Sequence, residues 1–379
     1  MKLLRIGALA MIIFVLSTPT LIAQQFGPPT FYAIGTLGAT PEAMVAADFN
    51  NDGVIDVATT ANAFRLLTVS LGKGDGTFQP AIRAKWPPLG TTPMALAVGD
   101  FNKDGIPDLV SLLWNSNSPG WAVVWLGNGD GTFHQSAQFQ VGMSPGSEVV
   151  ADYNGDGNLD IATVTALTKG VSVFLGNGDG TFQPGVVYNN TKASLFVTAG
   201  DLNGDGFPDL VETNQDGSAS VLLNSGTGTF PSAANYSTSD TLTEVTVGDV
   251  NGDGKPDVVI CVQDPVEQAV AVFLNQGNGT LGTPTFYDVT AAGTVPSGIV
   301  IADFNKDGKQ DLAVVNGTKA PGLFYGNGDG TFQNVIALND GPKGGTGIVT
   351  ADFNKDGAPD LAFTVLSKSP KLAVLLNTQ

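Results

Sequence analysis

Asp48, Asn50, Asp52 and Asp56 stand at positions 1, 3, 5 and 9 of the stretch Asp48-Phe49-Asn50-Asn51-Asp52-Gly53-Val54-Ile55-Asp56. The pattern Asp-x-Asn-x-Asp-Gly-x-x-Asp occurs seven times, starting at residues 48, 100, 152, 201, 249, 303 and 352. Oxygen side chains on alternate residues of a tightly curled loop suit a hard cation, and calcium takes about 6–8 oxygen ligands at roughly 2.3–2.6 Å. Gly at position 6 permits the sharp turn, and position 7 can offer its backbone carbonyl. The predicted ligands of the first copy are therefore Asp48, Asn50, Asp52 and Asp56 with the Val54 carbonyl. Those of the second are Asp100, Asn102, Asp104 and Asp108 with Ile106, and of the third Asp152, Asn154, Asp156 and Asp160 with Asn158. The fourth copy offers Asp201, Asn203, Asp205 and Asp209 with Phe207, and the fifth Asp249, Asn251, Asp253 and Asp257 with Lys255. The sixth offers Asp303, Asn305, Asp307 and Asp311 with Lys309, and the seventh Asp352, Asn354, Asp356 and Asp360 with Ala358. The absence of soft ligands from the pattern argues against zinc and copper. Magnesium, which prefers a stiffer and wetter octahedron, is second choice. A single copy could be no more than a turn, since Asn-Gly and Asp-Gly pairs are turn formers. Seven intact copies predict up to seven calcium sites. An EF-hand would need Glu at position 12 and flanking helices; only Glu212 of the seven position-12 residues meets the first demand, and the flanks look β-like.

The flanks show what holds these loops. Each is preceded by a short apolar run, such as Met44–Ala47, and followed by two more, such as Leu109–Leu113 and Val171–Leu175. Short runs bounded by Gly, Asn and Asp read as strands. A second punctuation follows the third run: Leu126-Gly-Asn-Gly-Asp-Gly-Thr-Phe133, with relatives beginning at Leu71, Leu175, Leu223, Leu274 and Tyr325. Its Gly-rich core predicts a hairpin with positive φ angles, after which the Phe starts a fourth strand. Four antiparallel strands in about 50 residues make one propeller blade. The residue before each loop is always Ala or Gly, as crowding of innermost strands round a central channel requires. The fold class is thus all-β, a seven-bladed β-propeller. Thr30–Ile34 supplies a fourth strand to the last repeat, which stops at Asn377 after its third. Pairing of the two ends would close the ring and remove most exposed edges.

Asp-Phe-Asn-x-Asp-Gly-x-x-Asp-Leu followed by Leu-Gly-Asn-Gly-Asp-Gly-Thr-Phe resembles the FG-GAP/VCBS repeat, whose relatives include the N-terminal propeller of integrin α subunits and many bacterial secreted proteins. The similarity spans residues 26–379. It implies a seven-bladed propeller with calcium between strands one and two of the blades. Integrins occupy only some blades, whereas all seven copies here keep the side-chain ligands; the sixth departs at position 8, where it carries Gln310.

Composition sets the compartment and narrows the chemistry. Residues 1–23 read as a signal peptide: Lys2 and Arg5 precede the apolar run Ile6–Leu16, which is too short to span a bilayer, and Ala23 precedes the expected cut. Residues 24–379 form the propeller, expected to be secreted or periplasmic, monomeric, and without a membrane span. The net charge is −18, and the seven loops hold 21 of the 35 acidic residues; seven Ca²⁺ would leave −4. Acidity of this degree argues against nucleic acid. Cys261, the only cysteine, falls in an apolar strand and is expected to be buried. His134, the only histidine, stands where other hairpins carry Gln79, Gln183 and Gln333, and reads as a surface residue. A histidine triad therefore has no second candidate.

Function is expected on the face opposite the metal loops, where connections vary in length and residue. Arg65, Lys169, Asp216, Glu267, Lys319 and Lys368 show no one-signed patch there. Blade two has a long connection, Trp114 to Trp121, and Trp86 precedes the same blade. Trp86, Trp114 and Trp121 are candidates to stack on a sugar or anchor a protein, or else cap blade edges. The reading is a non-catalytic binding or adhesion module for a protein or glycan. The alternatives are an enzyme acting on extracellular polysaccharide, as lyase or hydrolase, and a scaffold of a cell-surface complex. Sequons at Asn189, Asn235, Asn278 and Asn316 leave the host open.

Overall fold

The computed structural model describes residues 25–35, 40–62, 66–85, 92–116, 118–167, 169–188, 192–238, 241–263, 268–317, 319–338 and 344–379. The signal segment and Trp86 lie outside them. Among the described residues all regular structure is β: seven four-stranded antiparallel sheets. Blade one runs β2 (Pro41–Ala47), β3 (Asp56–Ala61), β4 (Leu66–Ser70) and β5 (Ile82–Lys85) from the channel outwards, and β1 (Thr30–Ala33) belongs to blade seven. The innermost strand of each blade packs on those of its two neighbours, so that β2 touches both Thr92–Gly99 and Ile348–Ala351. That contact explains the small residue before each loop: a Cβ added at Gly200 would lie 2.9 Å from Val247, and one at Gly248 2.9 Å from Ile301.

The second strand of every blade is buried along its length, save for the last residue in blades two and five, Trp114 and Gln263. It lies between two neighbouring blades, so both its faces need apolar residues and the period-two alternation of a half-solvated strand is lost. Leu210 faces the cluster shared with blade three, and the next residue, Val211, faces the cluster shared with blade five. The core is accordingly a ring of seven inter-blade clusters, with Cys261 buried in one of them.

Closure is as expected. β1 pairs antiparallel with Lys371–Leu375, Phe26 bridges Asn377, and Gly27 N donates to Leu376 O at 2.8 Å. The fourth strand differs from expectation. Only in blade two does it begin at the hairpin aromatic, Phe133. In blades one, three, six and seven that residue makes an isolated bridge, as Phe78 does to Gly72, Leu281 does so in blade five, and a gap precedes the strand. In most blades the gap holds a proline, such as Pro80 or Pro184, which has no N–H to give to the ladder.

Candidate metal centres and the opposite face

Each Asp-x-Asn-x-Asp-Gly loop joins the first and second strands of its blade, and its seven copies share one hydrogen-bond scheme. The position-1 carboxylate accepts from the N–H groups of positions 5 and 6: Asp52 N to Asp48 Oδ1 at 3.1 Å and Gly53 N to Asp48 Oδ2 at 2.6 Å in the first copy. The Asn50 amide oxygen accepts from Asp52 N at 3.1 Å, and Asp52 Oδ1 from Val54 N at 2.8 Å. Both position 4 and position 6 have positive φ, 57° at Asn51 and 77° at Gly53. Position 4 is Asn, Lys or Gly across the copies, and Lys103, Lys306 and Lys355 take that strained conformation without the freedom of glycine.

Position 9 is fully buried in every copy. Asp56 Oδ2 accepts from Phe49 N at 2.9 Å and its Oδ1 from Gly72 N at 2.7 Å, tying the loop, the second strand and the entry to the hairpin together. The same pair of bonds recurs at Asp108, Asp160, Asp209, Asp257, Asp311 and Asp360. Burial pushes the carboxyl of Asp56 up to about 6 against the two N–H donors, helped by the neighbouring Asp52 and Asp48. The other six behave alike.

This donor set is of the right kind for a hard cation: positions 1, 3, 5 and 9 supply only oxygen, and a positive charge would relieve the carboxylate crowding. Among the described residues no three Asp, Glu, His or Cys side chains already stand close enough to hold an ion. In five copies the position-3 amide donates to the position-5 carboxylate, as Asn50 Nδ2 does to Asp52 Oδ2 at 2.9 Å. Binding would exchange these internal bonds for bonds to the ion. Two loops carry their own cation: Lys255 Nζ lies 3.6 Å from Asp253 Oδ2, and Lys309 Nζ 3.8 Å from Asp307 Oδ2.

Position 2, to which the sequence reading assigned no role, is the hub between blades. It is Phe49, Phe101, Tyr153, Leu202, Val250, Phe304 or Phe353, at most 2 % exposed. Its ring meets the hairpin aromatic of the following blade edge-on: Phe49 with Phe133 at 5.5 Å, Phe101 with Phe182 at 5.6 Å, and Phe353 with Phe78 across the closure at 5.6 Å. Its carbonyl accepts from the glycine of that hairpin, as from Gly180 N to Phe101 O at 2.9 Å. The signal was in the sequence as an apolar residue at every position 2. The hairpin turns carry the expected positive φ, 76° and 77° at Gly74 and Gly76.

The other face is less uniform. Trp114 is exposed at the end of its strand, Trp121 is half-buried against the cluster between blades one and two, and Trp125 is buried. On the metal-loop face, beside its hairpin, His134 is exposed, its Nδ1 2.8 Å from Asn128 Oδ1. Asn316 is 1 % exposed, so the folded chain hides that sequon, while Asn235 and Asn278 are exposed. A cavity of about 480 Å³ opens at the channel end of the face opposite the metal loops, and Glu42, Glu148 and Glu244 line it. The sequence reading sought charge in the connections and passed over these three, which lie on strands.

A model of the FG-GAP-like repeat matches residues 48–111, 112–163, 152–212, 201–260, 249–314 and 303–363. No curated protein sequence matches the chain. Among solved structures, BBS1N in complex with ARL6DN is similar over 94 % of this chain and 97 % of that one, with TM-score 0.60 and 12 % identity. Sqt1 of Saccharomyces cerevisiae is similar over 93 % and 100 %, with TM-score 0.56 and 10 % identity. A protein from Lactobacillus plantarum is similar over 82 % and 88 %, with TM-score 0.57 and 13 % identity. At such identities the likeness is one of fold. The repeated loop, its partner hairpin and the span of the repeat model make this chain a member of the FG-GAP-like repeat family.

Proposed function

We propose that the protein is a secreted, calcium-loaded propeller that serves as a non-catalytic binding or adhesion module for a protein or glycan. The observation that carries this reading is the division of labour between its faces. One face repeats a single oxygen-rich loop seven times, and every copy ties its position-9 Asp into the blade framework. In each loop the side chains at positions 1, 3, 5 and 9, with the position-7 carbonyl, would hold calcium, which supplies charge neutralisation and rigidity rather than reactivity. The opposite face carries the unlike connections, the exposed Trp114 and the half-buried Trp121. BBS1N, of the same fold, is seen in complex with ARL6DN, an instance of a propeller used for protein binding. Residues 1–23 support export, and among the described residues no helix is long and apolar enough to cross a membrane.

The test is capture of ligands from the native extracellular milieu and on a glycan array, with native protein and the Trp114→Ala/Trp121→Ala double variant. Loss of at least tenfold in affinity with unchanged melting supports the reading. New reducing or unsaturated ends in polysaccharide incubated with the pure protein would overturn the non-catalytic assignment.

A further inference from the structure

The innermost strands do not run straight to the channel mouth. Six of them carry a bulge at their start, as between Pro41 and Met44, Pro145 and Glu148, and Leu242 and Val245. A bulge leaves a residue unpaired and re-aims its side chain. Glu42 and Glu244 sit within bulges, and Glu148 is the first residue after one. All three line the 480 Å³ cavity, one each from blades one, three and five, and among the described residues no Lys, Arg or His lines it. The volume falls in the range of about 300–1,000 Å³ usual for small-ligand sites.

The hydroxyl groups of this rim are already used in joining blades. Ser147 Oγ accepts from Val197 N at 2.8 Å, Thr243 Oγ1 donates to Pro296 O at 3.0 Å, and Thr346 Oγ1 donates to Pro41 O at 2.8 Å. The carboxyls are not so engaged. Glu148 is 9 % exposed and both its oxygens are buried without a hydrogen-bond partner. In the other six blades the equivalent residue is Met44, Leu96, Val197, Val245, Ile299 or Ile348. Glu244 is half-buried on the cavity wall, no hydrogen bond ties its carboxyl, and burial pushes that carboxyl up to about 7. Glu42 has one partner, Asn62 Nδ2 at 2.6 Å. An unpartnered buried carboxyl costs stability, and apolar residues fill the same place elsewhere in the ring. The three carboxyls come from three non-adjacent blades, so they are distributed round the mouth rather than gathered at one point. Met94 and Phe196 add apolar and polarisable surface between them. Carboxylates spread round an apolar wall, with no cation among the described lining residues, match an extended organic cation.

We propose that the channel mouth binds an aliphatic ammonium group on an apolar body, offered either by a free amine or by a lysine side chain of a partner protein. This deepens the reading of the protein as a binding module by naming its ligand chemistry. The experiment is calorimetric titration of the mature chain, in saturating calcium, with 1,5-diaminopentane, with Nα-acetyl-lysine methylamide and with hexanoate as the anionic control. Saturable binding of either ammonium compound, none of hexanoate, at least tenfold weakening in Glu244→Gln and no change in Glu212→Gln, a buried carboxyl outside the cavity, are expected. Glu42→Gln serves the same purpose if Glu244→Gln does not fold. Binding of the diamine alone points to a free amine, and binding of the lysine derivative alone to a partner's side chain. Failure of both, equal binding of hexanoate, or binding indifferent to both Glu variants would overturn the proposal. A glycan or protein ligand lost on Trp114→Ala/Trp121→Ala would then still stand, so the two readings fail separately.

Discussion

At the scale of single residues, the seven position-9 Asp carboxyls are buried with two N–H donors each, whereas Glu212 is buried and poorly answered. It is fully buried in blade four, and neither oxygen makes a hydrogen bond. Ser194 and Ser220 lie near enough to favour its charged form slightly, but their hydroxyl protons go to Asn214 Oδ1 and Asn235 Oδ1. Burial therefore dominates and lifts the carboxyl from 4.5 to about 7. A folded value above the unfolded one gives stability that is whole below pH 4.5 and is lost as pH rises through about 7. The loss amounts to about 3 kcal/mol above that range. Glu212→Gln should remove this slope: chemical denaturation at pH 8 should show a gain of about 2–3 kcal/mol, and at pH 4 little change. An equal effect at both pH values would assign the change to packing instead of titration. The sequence marked Glu212 only as the odd residue at position 12. Its burial depends on which blade faces it, and spacing along the chain carries no such information.

At the scale of elements, the unit of construction is a joint between blades rather than a blade. The position-2 residue of one loop meets the hairpin aromatic of the next blade, and the loop carbonyl meets the hairpin glycine. Tyr153 fills this joint between blades three and four, 5.7 Å from Phe230, with its hydroxyl buried and unpartnered. Phe49, Phe101, Phe304 and Phe353 do the same work without a hydroxyl. Tyr153→Phe is thus expected to raise stability by about 1 kcal/mol, because it deletes an unsatisfied polar group and keeps the ring contact. Urea unfolding checks it; a lower midpoint would mean that the hydroxyl has a partner. The blade pattern, the loop position, the hairpin turns and the closing strand were all legible, since each rests on local periodicity and on glycines whose φ is forced. The joint was not, since it pairs residues about 80 apart, Phe49 with Phe133 for example, and only the assembled ring brings them together. The gap in the fourth strand was legible in principle from Pro80 and Pro184. The channel glutamates were not: Glu42 and Glu244 face the cavity because a bulge shifts the register there, and although Pro41 marks the first bulge, Leu242 gives no such mark for the second.

At the scale of the whole molecule, charge decides how firmly the ring holds. The chain carries −18, and 21 carboxylates lie in seven loops on one face. A ring of like charges opposes its own compaction, and the opposition is partly screened by salt, with a Debye length of about 10 Å at 0.1 M. Calcium would act locally and much more strongly than screening, because it would draw in the four oxygen side chains that each loop sets out along one short turn. Linkage then makes the folded state more stable by RT ln(1 + [L]/Kd) for each site, about 2.7 kcal/mol when the ion stands at a hundred times Kd. Chelation should lower the melting temperature by ten degrees or more, and 0.5 M sodium chloride should restore only part of that loss. Full recovery by sodium chloride would make the effect one of general charge, and an unchanged midpoint on chelation would remove calcium from the account altogether. The loops should also differ among themselves. Lys255 and Lys309 hold ammonium groups beside Asp253 and Asp307, so calcium titration should resolve five tighter sites and two weaker ones. Lys255→Ala with Lys309→Ala should merge the two classes. Seven equivalent sites in the native chain would mean that both lysines swing clear of their carboxylates when the ion enters.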